Sequence, residues 1–517
     1  MGVRVALMII DRAVERPNEI ALSDSAVALT WHQVNDVLNR VANGLNSISL
    51  GPDRRVAVYA ENAVETVFAH LGGLLAGTST VPVNFHLNAD ELEYILTDSH
   101  ASVLFVGPEN VEVGLKAAGA AGVATVVGWR CESRPGLTSW TDWLASASSA
   151  EPSPDLRPLP NLMYTSGTTG LPKGVDLPPT MFAGGETIRD HVVGLQANRF
   201  TRFGTHLVVG PMYHTGPLNG FRILAAGTPV AIVNKFDAEK VLAAIERYGA
   251  ETSVMVPTHF KRLLDLADDV KARYDISSMR LVAHTGAACP IDVKRRMIEW
   301  FGPIFLDAYG ATEVGTTCSI TSPEWLDHPG SVGRAIPPFT ALVVDDDGHA
   351  VPPRTEGRLF FEDATGRGVV YPNDPAKSAQ AHLRPGVFTL GEIGYVDEDG
   401  YVYITDRFSD MIVSGGANIY PAEAEKVLIT HPQVADVAVI GIPDTDMGEA
   451  VRALVVPEDP SNPPSPDTLI AFCRSQLAGY KCPRTVEIVP SIGRSAMGKI
   501  NKRVLRAPYW EGSRTIG

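Results

Sequence analysis

Four Ser/Thr residues, three glycines and a lysine crowd into eleven positions, Tyr164-Thr165-Ser166-Gly167-Thr168-Thr169-Gly170-Leu171-Pro172-Lys173-Gly174, fed by the apolar run Leu162-Met163. Glycine lets the backbone approach an anion closely and reach positive φ. Successive N–H groups form an anion nest, and the Ser and Thr hydroxyls add donors. Lys173 supplies a point charge. Together these make a cradle for a polyphosphate. The pattern differs from the Gly-Lys-[Ser/Thr] P-loop, because Lys173 sits between Pro172 and Gly174.

The rest of the chain has to position that loop. At 517 residues two or more domains are expected. A net charge of −15 speaks against a nucleic-acid or anionic-membrane partner and makes each basic residue near a substrate informative. The five cysteines, Cys131, Cys289, Cys318, Cys473 and Cys482, include no Cys-x-x-Cys pair, which fits a reducing cytoplasm rather than a disulfide or zinc framework. The first apolar run, residues 5–10, is too short for a signal peptide, no stretch approaches about 20 apolar residues, and the last residues are no peroxisomal address.

Apolar spacing predicts helices over 34–48 and 65–76 and strands over 55–59 and 80–83, an alternation that implies an α/β layered fold with parallel strands. Residues 131–160 read as a surface connection, and Pro178-Pro179 as the start of a helix to about 196. A strand over 208–214 ends on His214. Residues 215–227 contain no acid, so a substrate ammonium would find no partner there. A further strand over 280–283 precedes the small residues Gly286-Ala287-Ala288. Asp399-Gly400 marks a hairpin over 395–404. Beyond it, residues 422–429 read as a helix, 435–440 and 451–456 as strands, and 457–466 as a loop.

The cradle resembles the phosphate loop of the adenylate-forming superfamily, which comprises acyl-CoA synthetases, luciferases and peptide-synthetase adenylation domains. All eleven positions match [Tyr/Phe]-[Thr/Ser]-Ser-Gly-[Thr/Ser]-Thr-Gly-x-Pro-Lys-Gly. Other stretches match in family order. By this resemblance Thr165, Ser166, Gly167, Thr168, Thr169, Gly170 and Lys173 bind the ATP phosphates. His214 gates the acyl pocket, and Gly286 and Ala287 line the adenine and acyl pockets. In Tyr309-Gly310-Ala311-Thr312-Glu313, Tyr309 stacks on adenine with Gly310 and Ala311 beside it, Thr312 bonds the α-phosphate and Glu313 holds Mg²⁺, for which one carboxylate beside bridging phosphates suffices. Glu392 takes the ribose, Arg407 contacts the nucleotide, Gly415 and Gly416 approach the pantetheine tunnel, and Lys499 is the adenylation lysine. The chain departs from the pattern at Leu390 and Glu392, usually Thr and Asp, and at the hinge residue Ser409, usually Asp or Lys.

The fold implied is α/β. A large N-terminal region, residues 1–407, has two helix-flanked sheets plus a small β-barrel-like part. A small mobile α+β lid spans residues 408–517. The function implied is an ATP-, Mg²⁺- and coenzyme-A-dependent acyl-CoA synthetase for a hydrophobic carboxylic acid, bulky, polycyclic or long-chain. A carrier-protein ligase, a luciferase-like oxygenase and a non-catalytic nucleotide-binding module are the alternatives. Partners are then small molecules, with no nucleic acid and no integral membrane segment; a homo-oligomer stays open. Two ribose hydroxyls donating to a charged carboxylate are worth about 1.5–3 kcal/mol each. Glu392→Ala is therefore expected to raise KM for ATP at least several-fold, with a smaller effect on 2′,3′-dideoxy-ATP. Unchanged ATP kinetics would refute the ribose role.

Overall fold

The computed structural model describes residues 8–165, 172–287, 289–345, 347–371, 375–407, 410–493, 500 and 502–510. The first sheet has five parallel strands in the order Ser79–Val83, Arg55–Tyr59, Val103–Val106, Thr125–Gly128, Thr138–Ser139. Their valines and leucines are buried on both faces, as parallel strands between helices require. Helix Trp31–Asn46 covers one side. Thr30 caps it in a capping box with Gln33, and Val34, Leu38, Val41 and Leu45 turn inward.

The second sheet has fifteen strands among the described residues. Its parallel half runs Ile20–Ser23, Val230–Ile232, His206–Val208, Thr252–Met255, Leu281–His284, Phe305–Ala311. At Phe305–Ala311 the direction reverses. Gly315–Thr321 returns antiparallel, and Gly333–Ala335, Tyr401–Arg407, Glu392–Val396 and Gly357–Asp363 continue that half. This is the small β part expected from the sequence, with its own core of Val314, Phe339, Leu359, Phe361 and Phe388. A third sheet starts at Ile412–Ser414 and joins Ala417–Ile419, Gly448–Pro457, Val434–Asp444 and Thr485–Ile488.

Four expectations change. The helix expected from Pro178-Pro179 is Ile188–Leu195: Gly184 and Gly185 adopt φ +66° and +101°, outside helical space, and the Thr187 hydroxyl caps the helix by accepting from the Asp190 N–H at 3.1 Å. The connection 131–160 contains strand Thr138–Ser139 and helix Trp140–Ser146, because Trp140 and Trp143 bury their rings edge-on to Phe105. The strand over 208–214 is shorter, His206–Val208, and His214 is instead the N-cap residue of helix Thr215–Arg222. The strand expected over 280–283 is Leu281–His284. No described helix is long and apolar enough to cross a membrane.

The reversal at Phe305–Ala311 is a tight one. A Cβ added at Gly310 would stand 1.9 Å from the Gly315 carbonyl oxygen, whereas one at Gly119, on helix Val111–Ala121, would meet nothing within 4 Å. Gly310→Ala is expected to cost about 1–3 kcal/mol in urea unfolding. Gly119→Ala should be neutral or gain up to about 1 kcal/mol. Equal effects would show that the hairpin yields freely.

Candidate active site

Both ends of the phosphate-cradle loop are fixed. Strands Leu162–Thr165 and Lys173–Asp176 pair antiparallel, with Thr165 opposite Lys173. Helix Ala89–Asp98 holds the pair: the Tyr164 hydroxyl donates to Asp98 Oδ2 at 2.6 Å, and the Tyr94 hydroxyl donates to the Pro172 carbonyl at 3.0 Å. Ser166, Gly167, Thr168, Thr169 and Gly170 lie outside the described residues, as do Ser409 and Lys499.

The turn between Phe305–Ala311 and Gly315–Thr321 carries Thr312 and Glu313. Glu313 is 8% exposed. Its Oε1 accepts from the Thr165 hydroxyl and from the Tyr371 hydroxyl, each at 3.2 Å, and its carbonyl accepts from Arg367 Nη1 at 3.1 Å. Residues far apart in sequence thus meet at one carboxylate. Earlier on the same strand, Asp307 contacts Lys294 and His284. Burial works to raise the Asp307 carboxyl, and those two neighbours outweigh it and hold it below its ordinary value. Tyr309 follows, its hydroxyl donating to Glu392 Oε2 at 2.8 Å. Glu392 is buried and stands opposite Arg407 in strand register.

A cleft of about 120 Å³ opens beside Glu313, lined by Thr165, His214, Thr215, Thr312 and Gly416 among others. Burial, and then the nearby His86, pull the His214 pKa down to about 4, so its ring is neutral at physiological pH. Gly415 and Gly416 have φ +59° and +83°. A Cβ at Gly416 would reach Val256 Cγ1 at 3.3 Å, and one at Gly286 would reach the same methyl at 3.5 Å. Gly286 and Gly416 therefore approach one another across Val256. Ala287 follows Gly286 at the end of strand Leu281–His284. The carboxylate of Glu313, supported by two hydroxyls, suits a hard cation that shares phosphate oxygens.

The sequence reading missed the residue that joins the two halves of the cleft wall. Lys481 is 3% exposed and pairs with Glu91 Oε1 at 2.8 Å and Glu423 Oε2 at 2.6 Å. Burial opposes its charge, but Tyr480, Glu423 and Glu91 prevail and raise its pKa. Arg262 adds a two-pronged contact to Asp446, at 3.0 and 3.3 Å. Nothing in the sequence around Lys481 announces this role, since a lone lysine ordinarily stays in solvent.

Comparison with known proteins agrees with this geometry. Residues 10–367 match the AMP-binding enzyme family, and residues 423–499 match the AMP-binding enzyme C-terminal domain. The chain is 34% identical to the fatty acid–acyl-carrier-protein ligase ScoC of Streptomyces coeruleorubidus, over 97% of this chain and 95% of that one. It is 33% identical to a 3-[(3aS,4S,7aS)-7a-methyl-1,5-dioxo-octahydro-1H-inden-4-yl]propanoyl:CoA ligase of Rhodococcus jostii, over 94% and 95%. The o-succinylbenzoate CoA synthetase MenE of Bacillus subtilis is 25% identical, over 96% and 97%. A double mutant of it bound with its product analogue OSB-NCoA superposes at a TM-score of 0.78, and its complex with the acyl-adenylate OSB-AMP at 0.63.

Without Lys481, the buried Glu423 and the partly buried Glu91 would face each other, and burial already raises Glu423. A carboxylate with a raised folded pKa destabilises the fold above that pKa and recovers as pH falls toward its unfolded value of about 4.3. Lys481→Met is therefore expected to lose about 3–5 kcal/mol at pH 8 and less at pH 5, in urea unfolding. A deficit independent of pH would contradict the buried triad. From the convergence on Glu313 and the match along both parts of the chain, the protein belongs to the AMP-binding enzymes, the adenylate-forming superfamily, and is one of its ATP-dependent acid–thiol ligases.

Proposed function

We propose that the chain joins a hydrophobic, bulky carboxylic acid to coenzyme A in two steps within the Glu313 cleft. The observation that carries this reading is the convergence of Thr165, Thr312, His214 and Gly416 on one cleft beside Glu313. In the first step the acid's carboxylate oxygen attacks the α-phosphorus of ATP, the α–β bridging bond breaks, and pyrophosphate leaves. Such chemistry depends on positioning and charge neutralisation. Thr165 through Gly170 and Lys173 hold the departing phosphates, Thr312 the α-phosphate, and Lys499 the attacking carboxylate. Mg²⁺, when bound, neutralises phosphate charge, and Glu313 is the residue that would hold it. Tyr309, with Gly310 and Ala311, takes the adenine, while Glu392 and Arg407 take the remainder of the nucleoside. In the second step the CoA sulfur attacks the acyl carbon and AMP leaves.

The part after the proposed boundary at Arg407–Ser409 turns between the steps. Two observations favour the thioester-forming position for the arrangement described. Gly416 lines the cleft, and the likeness to MenE is closer for the product-analogue complex than for the acyl-adenylate complex. The small residues Gly286, Ala287 and Ala311 leave room for a bulky acid, in keeping with the ring-bearing acid named for the Rhodococcus relative. His214, neutral and apolar at its ring faces, suits a gate to that pocket. The free cysteines suit a cytoplasmic enzyme. The likeness to ScoC supports a second reading, in which the thiol belongs to a carrier protein. Thioester formation on free CoA separates the two.

Lys499→Ala is expected to lower adenylation, followed as pyrophosphate release, by about 10²-fold or more. Thioester formation from supplied acyl-adenylate should persist. Equal loss of both half-reactions would contradict the assignment.

A further inference from the structure

Helix Thr215–Arg222 begins at the cleft and ends in the core. Thr215 lines the cleft, and Arg222 follows seven residues later. At about 100° and 1.5 Å per residue, Arg222 lies on the same helix face as Thr215, about 10 Å deeper. Asn219 occupies that face between them, and its Oδ1 accepts from Arg222 Nη1 at 3.2 Å. Arg222 is 4% exposed. Among the described residues, Asn219 is its one hydrogen-bond acceptor and no carboxylate pairs with it. The acid-free stretch 215–227 offers none locally.

A guanidinium carries five N–H donors, and a buried one without an anion is a costly arrangement. Burial lowers the Arg222 pKa to about 10, which leaves it cationic at neutral pH. Its guanidinium carbon lies 5.8 Å from the centre of the Phe182 ring. His191 packs on the same ring, 4.3 Å between centroids, with Nδ1 engaged by the Gly184 carbonyl at 3.0 Å. His191 Nε2 is buried and has no hydrogen-bond partner. One corner at the inner end of the helix thus holds a charge that the described protein meets with a single acceptor, beside a neutral ring whose Nδ1 donates to the Gly184 carbonyl.

We propose that Arg222 receives a second carboxylate at the far end of the acyl substrate, so that the enzyme activates one end of a dicarboxylic acid. The inference rests on the synthetase reading above and revises its acid to one with an apolar body and a charged far end. The body of the acid lies along the Thr215–Asn219 face, the reacting carboxylate stands at the cleft, and the distal one pairs with the guanidinium. The backbone separation of about 10 Å, from which the guanidinium reaches back toward Asn219, accommodates up to roughly eight to ten carbons in an extended chain, or a ring system of that length.

The test compares monocarboxylic and dicarboxylic acids in matched pairs on the full-length enzyme: octanoate with octanedioate, decanoate with decanedioate, and a ring-bearing pair. Pyrophosphate release and CoA thioester formation are both followed. The wild type is expected to favour the diacid of at least one pair by about 10²-fold in kcat/KM, because a site built for a polar group rejects the analogue that lacks it. Arg222→Met should abolish that preference, lowering kcat/KM for the diacid and raising it for the monoacid, and Arg222→Lys should keep part of it. A wild-type preference for the monoacid in every pair would overturn the proposal and leave the synthetase reading standing; this arm needs no variant to fold. An Arg222→Met enzyme that loses both acids equally would also overturn it. Absence of pyrophosphate release with every acid would overturn both readings.

Discussion

One carboxylate ties the active-site region together. Glu313 accepts from Thr165 at the mouth of the phosphate-cradle hairpin and from Tyr371 in the segment after strand Gly357–Asp363, and Arg367 grips its carbonyl. Its position depends on the strand reversal just before it, where Gly310 runs so close to the Gly315 carbonyl that no side chain fits. The reversal in turn depends on Phe305–Ala311 being the last parallel strand and the first antiparallel one. Ligand sites of open α/β sheets collect at the carboxyl ends of parallel strands. Here Gly286 follows one such end and Thr312 follows another.

Among the described residues, the C-terminal part meets the N-terminal part through ion pairs and through Ala478 and Tyr480, which pack into the apolar cluster of the first sheet. Lys481 draws Glu91 and Glu423 into a buried triad, and Arg262 holds Asp446 at the rim. Each charge of these pairs would regain water if the parts turn between the two steps as proposed. At Gly416 the close approach to Val256 is made by backbone rather than by a side chain.

Much of this was legible in the sequence, for identifiable reasons. Strand Arg55–Tyr59 falls where the apolar run put it, and helix Trp31–Asn46 carries its apolar stripe at helical spacing with a capping box at its start. The cradle, Glu313 and Tyr309 are signalled by residue type and order. Other features depended on three-dimensional context. Gly184 and Gly185 cut short a helix that Pro178-Pro179 seemed to begin, and Trp140 and Trp143 gave structure to a segment whose Ser and Pro content reads as a loop. Lys481 and Arg222 are single basic residues in their stretches. Their meaning lies in burial and in what surrounds them, neither of which a residue type reveals.

The central claim is that the acid is activated by attack of its carboxylate on the α-phosphorus of ATP. Labelling the acid's carboxylate with heavy oxygen and examining the AMP by phosphorus NMR tests it most directly. If the account holds, each AMP formed carries one heavy oxygen from the acid. Unlabelled AMP, or ADP and phosphate in its place, would contradict it.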